Sequence, residues 1–326
     1  MILTNTTNLP KPIVDIANYC INNHKELDEH EFSVTELLKG TKEIVLSRRH
    51  RDELQMDVQD TYNLWSGTAI HMLLERFASS EYMAESRIGI NLGEWDKELE
   101  GYFLTGSPDL YETTTETLWD YKNTKVAQFD RSSTLADLDW LRQLTIYKLI
   151  LEKTGRTVKH CKIVAMIKDH SAIKARATEG YPKSPIMIID YTEAITEDFI
   201  KATIDYYCTK VKEVLSALQY ADWAIDPCTP SERFEKTDWA IMKKGNKKAF
   251  RAGFSCEAEA QQALSQVANK TGLYIEYRAG EPEKCKTYCT CAPFCSFYHE
   301  AVLGERDEGY EPDTDAMCDD ILGGNG

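Results

Sequence analysis

The sequence predicts an α/β fold in which a mixed central sheet is flanked by helices. Short stretches of strand character alternate with longer amphipathic segments, and this order is typical of a sheet covered by helices. The strand-like stretches are 102–104, 117–119, 159–167 and 185–191, and the longest helical segments are 135–152 and 195–218. A content of 42% hydrophobic and 28% charged residues in 326 is normal for a globular protein.

Charge and composition limit the partners that the chain can bind. The formal net charge is −15 at pH 7, which argues against broad electrostatic attachment to nucleic acid and requires any such contact to use local basic patches. No apolar run is long enough to span a bilayer, and residues 1–16 lack the basic start and apolar core of a signal peptide. We therefore expect a cytoplasmic protein without a membrane partner, in the host cytoplasm if the chain is phage-encoded.

The first part of the chain is predicted to be helical. Residues 1–31 form an N-terminal helical segment in this interpretation, with an amphipathic stretch at 13–27. Ser33 and Glu36 then have the spacing of a capping box, which predicts a helix that starts at Ser33.

A compact basic cluster follows at 47–51. It contains Arg48 and Arg49, which are candidates for contact with DNA phosphates. The alternative interpretation is a solvated helix face.

The segment 62–77 has helical periodicity and carries a histidine. Its apolar residues recur on one side of the predicted helix and form an apolar stripe; they are Ala69, Met72, Leu73 and Phe77. Gly67, His71 and Glu75 lie at i, i+4 and i+8 and share another side. A single histidine on a helix is most often an ordinary core or surface residue, but an acidic motif follows this one, so His71 is a candidate metal ligand.

The stretch from Gly106 to Lys122 combines carboxylates with a lysine. Strand-like residues before the polar turn at Gly106, and again from Thr117, predict a hairpin. Because side chains alternate along a strand, Asp120 and Lys122 point to one face, where Asp109 can meet them. Two carboxylates that converge with an ammonium are typical of a Mg²⁺ or Mn²⁺ site. A surface hairpin with ordinary charges is the alternative, since such triplets are common.

Four short motifs follow one another along the chain. They are Gly67-x-x-x-His71, Gly106-x-x-Asp109, Asp120-x-Lys122 and Gln143-x-x-x-Tyr147. In this order the set resembles the PD-(D/E)xK nuclease superfamily, and above all its RecB-like branch, which includes CRISPR-associated iron–sulfur exonucleases and many phage exonucleases. The resemblance covers roughly residues 32–190. It implies a restriction-endonuclease-like core, which we predict to span 32–222.

The resemblance implies a role for each motif residue. The implied ligands of a catalytic Mg²⁺ or Mn²⁺ ion are His71, Asp109, Asp120 and the carbonyl of Tyr121. Lys122 would position and activate the attacking water, and Gln143 and Tyr147 would contact DNA near the cleaved phosphate. Asp120 stands where many relatives carry glutamate, and the superfamily pattern allows either residue.

The segment 223–280 is predicted to form a unit made of a hairpin, a helix and a strand. The hairpin spans 239–254, with a Gly-Asn turn at Gly245. Its lysines are Lys243, Lys244, Lys247 and Lys248. Together with Trp239 and Phe250, this basic island suits a single-stranded DNA backbone and its bases. A solubilising hairpin tip is the alternative.

Four of the ten cysteines fall within the segment 281–302. They are Cys285, Cys289, Cys291 and Cys295. Clustered thiolates among aromatic residues suit either zinc or an iron–sulfur cluster. The resemblance favours a [4Fe–4S] cluster over zinc, because similar nucleases bind one through one cysteine before the nuclease domain and three after it.

The chain departs from that pattern at the first cysteine. It has Lys39-Gly40-Thr41 where relatives often carry this ligand. The spacing favours Cys285, Cys289 and Cys295 as three of the ligands. Cys20 is a further candidate for the fourth ligand, but with these three assigned the choice is between Cys291 and Cys228.

The segment 303–326 is acidic and Gly-rich, and we predict that it is disordered. It is either a plain solubilising tail or a docking segment for replication or recombination proteins.

We predict a metal-dependent DNA exonuclease that acts on DNA ends or single strands in phage-type DNA replication, recombination or repair. The alternatives are a catalytically vestigial DNA-binding accessory protein and a nuclease for CRISPR spacer capture.

Overall fold

The structure is a computed structural model that describes residues 1–22, 27–77, 81–84, 87–129, 134–235 and 237–304. The helices are α1 (Lys11–Asn22), α2 (Thr41–Arg49), α3 (Tyr62–Phe77), α4 (Thr134–Lys153), α5 (Ala172–Ala177), α6 (Glu197–Ala217), α7 (Glu257–Ser265) and α8 (Glu283–Thr287). The strands are β1 (Ile2–Thr4), β2 (Glu31–Ser33), β3 (Gln55–Asp57), β4 (Tyr82–Ala84), β5 (Ile88–Asn91), β6 (Phe103–Gly106), β7 (Leu110–Glu112), β8 (Thr117–Thr124), β9 (His160–Ile167), β10 (Ile186–Asp190), β11 (Asp238–Lys243), β12 (Arg251–Phe254) and β13 (Leu273–Arg278).

A five-stranded mixed sheet lies at the centre of the fold, in the order β10-β9-β8-β7-β4. Strands β8 and β9 are parallel and are connected through α4, whereas the other neighbours in this sheet are antiparallel. A helix that links two parallel neighbours is the usual crossover of an α/β protein. The predicted α/β class with a mixed sheet is therefore confirmed.

One face of this sheet is buried and the other is more open. Along β9, Cys161, Ile163, Ala165 and Ile167 are buried, and the residues between them are partly exposed, as the two-residue period of a strand requires. The buried face shares one hydrophobic core with α4 and α6. Among the described residues, the apolar side chains of those helices that are 0% exposed are Leu144, Ile146, Ile150, Leu151, Tyr207, Val211 and Val214.

The strand pairing around Gly106 differs from the prediction. Strand β6, which ends at Gly106, pairs with β2 and β5 in a separate sheet, whereas β8 forms its hairpin with β7. Pro108 separates β6 from β7, and proline lacks the backbone N–H that a continuous ladder would need. The predicted hairpin between 102–104 and 117–119 is thus wrong. The turn at 113–116 joins β7 to β8 as predicted.

At the predicted helix start, Ser33 and Glu36 form a capping box, but only a single helical turn follows it. The Ser33 hydroxyl accepts a hydrogen bond from the Glu36 amide at 3.0 Å, and the Glu36 carboxylate accepts one from the Ser33 amide at 3.5 Å. The turn itself is a 3₁₀ helix at Glu36–Leu38. Helix α2 begins only at Thr41, because Gly40 is extended with φ −67° and ψ 144°. The capping box is confirmed, and a continuous helix from Ser33 is wrong.

Two surfaces with apolar side chains are exposed. Helix α3 spans the predicted residues, but Met72, Leu73 and Phe77 of its apolar stripe are 50%, 57% and 80% exposed. On β10, Ile186 and Ile188 are more than half exposed, because this strand forms the edge of the sheet. Strand β10 is therefore an antiparallel edge strand with one face open to solvent, and it is not buried on both faces.

The predicted basic hairpin is confirmed as β11 and β12. Trp239 lies opposite Phe254, and Gly245 in the turn has φ +86°, a left-handed conformation that favours glycine. Strand β13 pairs with the other side of β11, and α7 packs against this three-stranded sheet. The unit predicted at 223–280 thus contains the expected hairpin, helix and strand.

Two further predictions concern the C-terminal segment and membrane-spanning helices. The segment 303–326 lies outside the described residues except for its first two positions. Among the residues that the structure describes, no helix is both long enough and apolar enough to cross a membrane.

Candidate active site and cysteine cluster

Asp120 lies on the buried side of β8 and is 1% exposed. The Nζ atom of Lys122 lies 2.7 Å from Asp120 Oδ2, but neither carboxylate oxygen has a hydrogen-bond partner of good geometry among the described residues. Burial raises the pKa of Asp120 to about 6, against the opposing positive charge of Lys122. Burying a carboxylate is costly for the fold, and the Lys122 ammonium offsets only part of this cost, since the pKa of Asp120 is still raised.

Asp109 is held beside Asp120 where the strand pairing ends. Strands β7 and β8 pair from Leu110, which lies opposite Trp119. One residue before this pair, Asp109 Oδ2 accepts a 2.6 Å hydrogen bond from the Tyr121 amide. The negative charge of Asp109 contributes to the raised pKa of Asp120, as expected for two carboxylates that share one site.

Helix α3 brings His71 to the same place. The Nδ1 atom of His71 lies 3.3 Å from Asp109 Oδ1, and its ring lies edge-on to the Tyr121 ring, with 6.1 Å between centroids. Asn123 on β8 donates a 3.2 Å hydrogen bond to the Ser66 hydroxyl and so ties the helix to the strand. The three side-chain ligands predicted for the catalytic metal are therefore close neighbours.

Lys122 is oriented by a chain of hydrogen bonds from α4. Its ammonium donates to Gln143 Oε1 at 2.7 Å, and Gln143 Nε2 donates to the Tyr147 hydroxyl at 3.1 Å. Gln143 and Tyr147 are 7% and 4% exposed, so the structure places them behind Lys122, and their contact with DNA stays a prediction. The Tyr147 ring also packs against Gly106, where an added Cβ would lie 2.5 Å from Cε1.

The donor set fits a hard divalent cation. A buried carboxylate without hydrogen-bond partners, a second carboxylate and a backbone carbonyl at Tyr121 are the oxygen ligands that Mg²⁺ and Mn²⁺ take, and an imidazole makes Mn²⁺ competitive. Within the described residues, no group of three or more His, Cys, Asp or Glu side chains is gathered closely enough to hold an ion as it stands. Lys122 and the Tyr121 amide contact the two carboxylates instead.

The basic cluster of α2 is engaged in ion pairs. Arg48 makes two hydrogen bonds to the Glu36 carboxylate, at 2.8 and 2.9 Å, and its guanidinium lies over the Phe32 ring. Arg49 pairs with Asp222 at 2.5 Å. Both arginine side chains are only about a quarter exposed, at 21% and 26%, so they join α2 to its neighbours. Their contact with DNA stays a prediction.

The lysines of the β11–β12 hairpin are exposed, namely Lys243, Lys244, Lys247 and Lys248. None of them makes an ion pair with another described residue. Phe250 in the same connection is 49% exposed, whereas Trp239 is partly buried. This local arrangement of cations beside an aromatic ring is compatible with the predicted attachment of single-stranded DNA.

Five cysteines gather where α2 meets the C-terminal segment. We call Cys228, Cys285, Cys289, Cys291 and Cys295 the cysteine cluster. Cys291 is 1% exposed, and Cys289 and Cys295 pack against the same small apolar group. Burial and then the charges of Cys289 and Cys295 raise the pKa of Cys285 to about 11. Burial raises the pKa of Cys228 to about 12, although the Glu43 amide donates a hydrogen bond to its sulfur and opposes the rise.

Cys289 and Cys291 form a close pair with their sulfur atoms 3.4 Å apart. The hydrogen bond from Cys291 lowers the pKa of Cys289, and the same bond, together with burial, raises the pKa of Cys291. Cys289 is thus the better thiolate of the pair. Thiolate donors suit both zinc and iron–sulfur clusters. Among the described residues no group of three or more such side chains could hold a metal ion as it stands, and the [4Fe–4S] cluster stays a prediction.

Two lysines that the sequence analysis did not single out lie beside the cysteine cluster. Lys284 Nζ lies 2.5 Å from the Glu43 carboxylate, and the buried Lys42 ammonium donates to the Ile225 carbonyl and the Ser296 hydroxyl, each at 2.8 Å. These bonds join α2 to two distant segments of the chain. No local spacing marks either lysine, because their partners are far away in sequence.

Comparison with known proteins gives little further guidance. No protein-family model matches the chain, and no curated protein matches it. Among solved structures, the crystal structure of SSO0001 aligns with 61% of this chain and 86% of its own, at 14% sequence identity and a TM-score of 0.42. A likeness at this level carries no argument about function, so any functional proposal rests on the geometry of the site.

Proposed function

We propose that the chain is a metal-dependent deoxyribonuclease with a PD-(D/E)xK-type core, which removes nucleotides from DNA ends or single strands. The observation that carries this proposal is the buried, unsatisfied carboxylate of Asp120 beside Asp109, His71 and Lys122. Phosphodiester hydrolysis needs an in-line water attack and stabilisation of the extra negative charge on the phosphate. A divalent cation next to a lysine meets both requirements.

Each residue of the site has a task in this reaction. The residues that would hold Mg²⁺ or Mn²⁺ are His71, Asp109, Asp120 and the carbonyl of Tyr121. The chemistry that the ion supplies when bound is polarisation of a phosphoryl oxygen and a lower pKa for bound water. Lys122 places its ammonium against the attacking water and offsets charge that develops on the phosphate. Gln143 fixes that ammonium, and Tyr147 fixes the Gln143 amide.

A cleavage assay with two matched lysine variants tests the proposal. End-labelled single- and double-stranded DNA is incubated with anaerobically purified protein and either Mn²⁺, Mg²⁺ or a chelator. Lys122→Met should lower the rate by about 100-fold or more, because the ammonium acts where charge develops. Lys162→Met should leave the rate unchanged, since this lysine lies on β9 on the open face of the sheet and pairs with Asp190.

Three outcomes of the assay separate the alternatives. Metal-dependent loss of label by wild type and Lys162→Met alone supports the nuclease, and the labelled end that is lost identifies its polarity. Equal cleavage by Lys122→Met rejects the assigned site. Binding of DNA without cleavage in any metal supports a DNA-binding accessory protein instead.

A further inference from the structure

Among the described residues, strand β10 is paired along one of its two edges. It is the last strand of the five-stranded sheet, and β9 is its neighbour. At one end, the Pro185 carbonyl accepts a hydrogen bond from the Ile167 amide of β9. At the other end, the Tyr191 amide donates one to the Cys161 carbonyl, again on β9. Backbone groups alternate in direction along a strand, so the odd-numbered residues from 185 to 191 are directed at β9.

The even-numbered residues of β10 are therefore directed away from β9. They are Ile186, Ile188 and Asp190, and all three are exposed. Within the described part of the chain, no group donates to their carbonyls, and the Ile188 amide has no acceptor. The Ile186 amide has only a 3.2 Å hydrogen bond to the Ser184 hydroxyl. The outer edge of β10 thus offers a row of donors and acceptors for a further strand.

This edge lacks the features that usually protect an edge strand. Such strands carry lysine, a bulge, or a proline that interrupts the row of donors. Strand β10 contains no cation, and it pairs with β9 without a shift in register. Pro185 has its missing N–H on the β9 side, so it interrupts nothing on the outer side. The one charged residue within the strand, Asp190, is paired with Lys162 at 3.3 Å.

The edge is complementary to a second copy of itself in the antiparallel direction. With a two-fold axis at Met187, Ile186 of one copy lies opposite Ile188 of the other, and the axis repeats this pair. Both residues are directed outward, so each pair exchanges both of its backbone hydrogen bonds. Asp190 then lies opposite the exposed Ser184, whose hydroxyl can donate to the carboxylate. An axis at Ile188 would instead place Ile186 opposite Asp190 and press a carboxylate against an isoleucine.

We propose that two copies of the chain form a dimer through antiparallel pairing of β10 with β10 about Met187. The pairing joins two five-stranded sheets into one continuous sheet, with α4 and α6 of both copies on the same face. The two β8 strands, which carry Asp120 and Lys122, are then five strand spacings apart, or about 24 Å. The dimer thus presents both candidate active sites on one side. It does not depend on the proposed nuclease activity.

Sedimentation velocity of the full-length chain tests the dimer. A pair of five-residue strands is a small interface, so the wild type should be dimeric at about 50 µM and mostly monomeric at about 1 µM. Ile188→Pro removes an N–H that β9 does not use and should weaken the dimer by about tenfold or more. Ile188→Leu keeps this N–H and should stay close to wild type. A monomeric wild type at the higher concentration, or unweakened association of Ile188→Pro, overturns the proposal.

Disulfide trapping tests the register and does not rely on the proline variant. Residues opposite each other in a non-hydrogen-bonded antiparallel pair have Cα atoms about 4.5 Å apart, which a disulfide can bridge. Met187→Cys should therefore form a disulfide between copies under mild oxidation with diamide. Ile188→Cys is the matched control, because its two copies lie diagonally across the strand pair and should not cross-link. The exposed Cys256 is present throughout, so wild type supplies the background. Cross-linking of Met187→Cys no faster than that of Ile188→Cys or wild type overturns the proposal.

Hydrogen exchange distinguishes a second copy from any other occupant of the edge. Peptides that cover 186–190 are followed by mass spectrometry at both protein concentrations. In the proposed dimer, the Ile188 amide is protected at about 50 µM and exchanges faster at about 1 µM. Equal protection at both concentrations would assign the edge to another segment of the same chain, and the absence of protection would leave it unpaired. Either of these results overturns the proposal, and no DNA or metal enters the measurement.

Discussion

Gly106→Ala gives a sharp test of how the active site is packed. The added Cβ would lie 2.5 Å from Tyr147 Cε1 and 3.2 Å from Val34 Cγ2, whereas carbon atoms in contact prefer about 3.5–4.0 Å. The Tyr147 ring is 4% exposed and its hydroxyl is bound by Gln143, so it cannot turn away into solvent. Overpacking of this kind costs about 1–3 kcal/mol, and we expect the free energy of unfolding to fall by that amount.

Urea unfolding followed by tryptophan fluorescence measures the change, with Gly67→Ala as the matched control. A Cβ at Gly67 meets nothing within 4 Å, so alanine in the middle of α3 should raise stability by about 0.5–1 kcal/mol. In a Tyr147→Leu background the ring is gone, and Gly106→Ala should then cost much less. The reasoning is refuted if Gly106→Ala is as stable as wild type, or if its cost is the same in both backgrounds.

Charged groups outside the active site give two more predictions. Glutamate at all four hairpin lysines should weaken single-stranded DNA binding and flatten its salt dependence, measured by fluorescence anisotropy, because fewer counterions are released; unchanged binding would limit the hairpin to a solubilising role. His50→Gln should lower the free energy of unfolding by about 1 kcal/mol at about pH 5.5 and by less at about pH 9. Burial lowers the pKa of His50, but hydrogen bonds to Asp222 and Glu53 outweigh it, so the pKa is raised. This contribution is fully present below the ordinary histidine pKa and is lost as pH rises through the folded value; equal destabilisation at both pH values would contradict it.

The parts of the site that the sequence could predict are those set by local periodicity. The two-residue alternation of β8 brings Asp120 and Lys122 together, and one helical turn of α4 brings Gln143 and Tyr147 together. The structure retains each of these relationships. Periodicity could not show that the side chains of Gln143 and Tyr147 are buried, or that Gln143 accepts a hydrogen bond from the Lys122 ammonium.

The parts that the sequence could not predict depend on contacts between distant segments. Strand β6 has the strand character expected of a hairpin partner for β8, but it pairs with β2 instead. The apolar stripe of α3 has the right spacing for a core face, yet Phe77 is 80% exposed. A Cβ added at Gly40 would lie 2.5 Å from Cys228 Sγ, and the two residues are likewise far apart in the chain, so no spacing rule could pair them.

The buried lysine of α2 has a consequence for how the chain is made. Lys42 is 1% exposed, and one of its two hydrogen-bond partners, Ser296, follows it by 254 residues. At a synthesis rate of about 5–20 residues per second, the ribosome needs roughly 10–50 s to deliver that partner. During this interval the ammonium can stay hydrated only if α2 remains undocked, since burying it without its partners is costly. Nascent chains that stop before Ser296 should therefore expose the apolar side of α2 to chaperones and proteases.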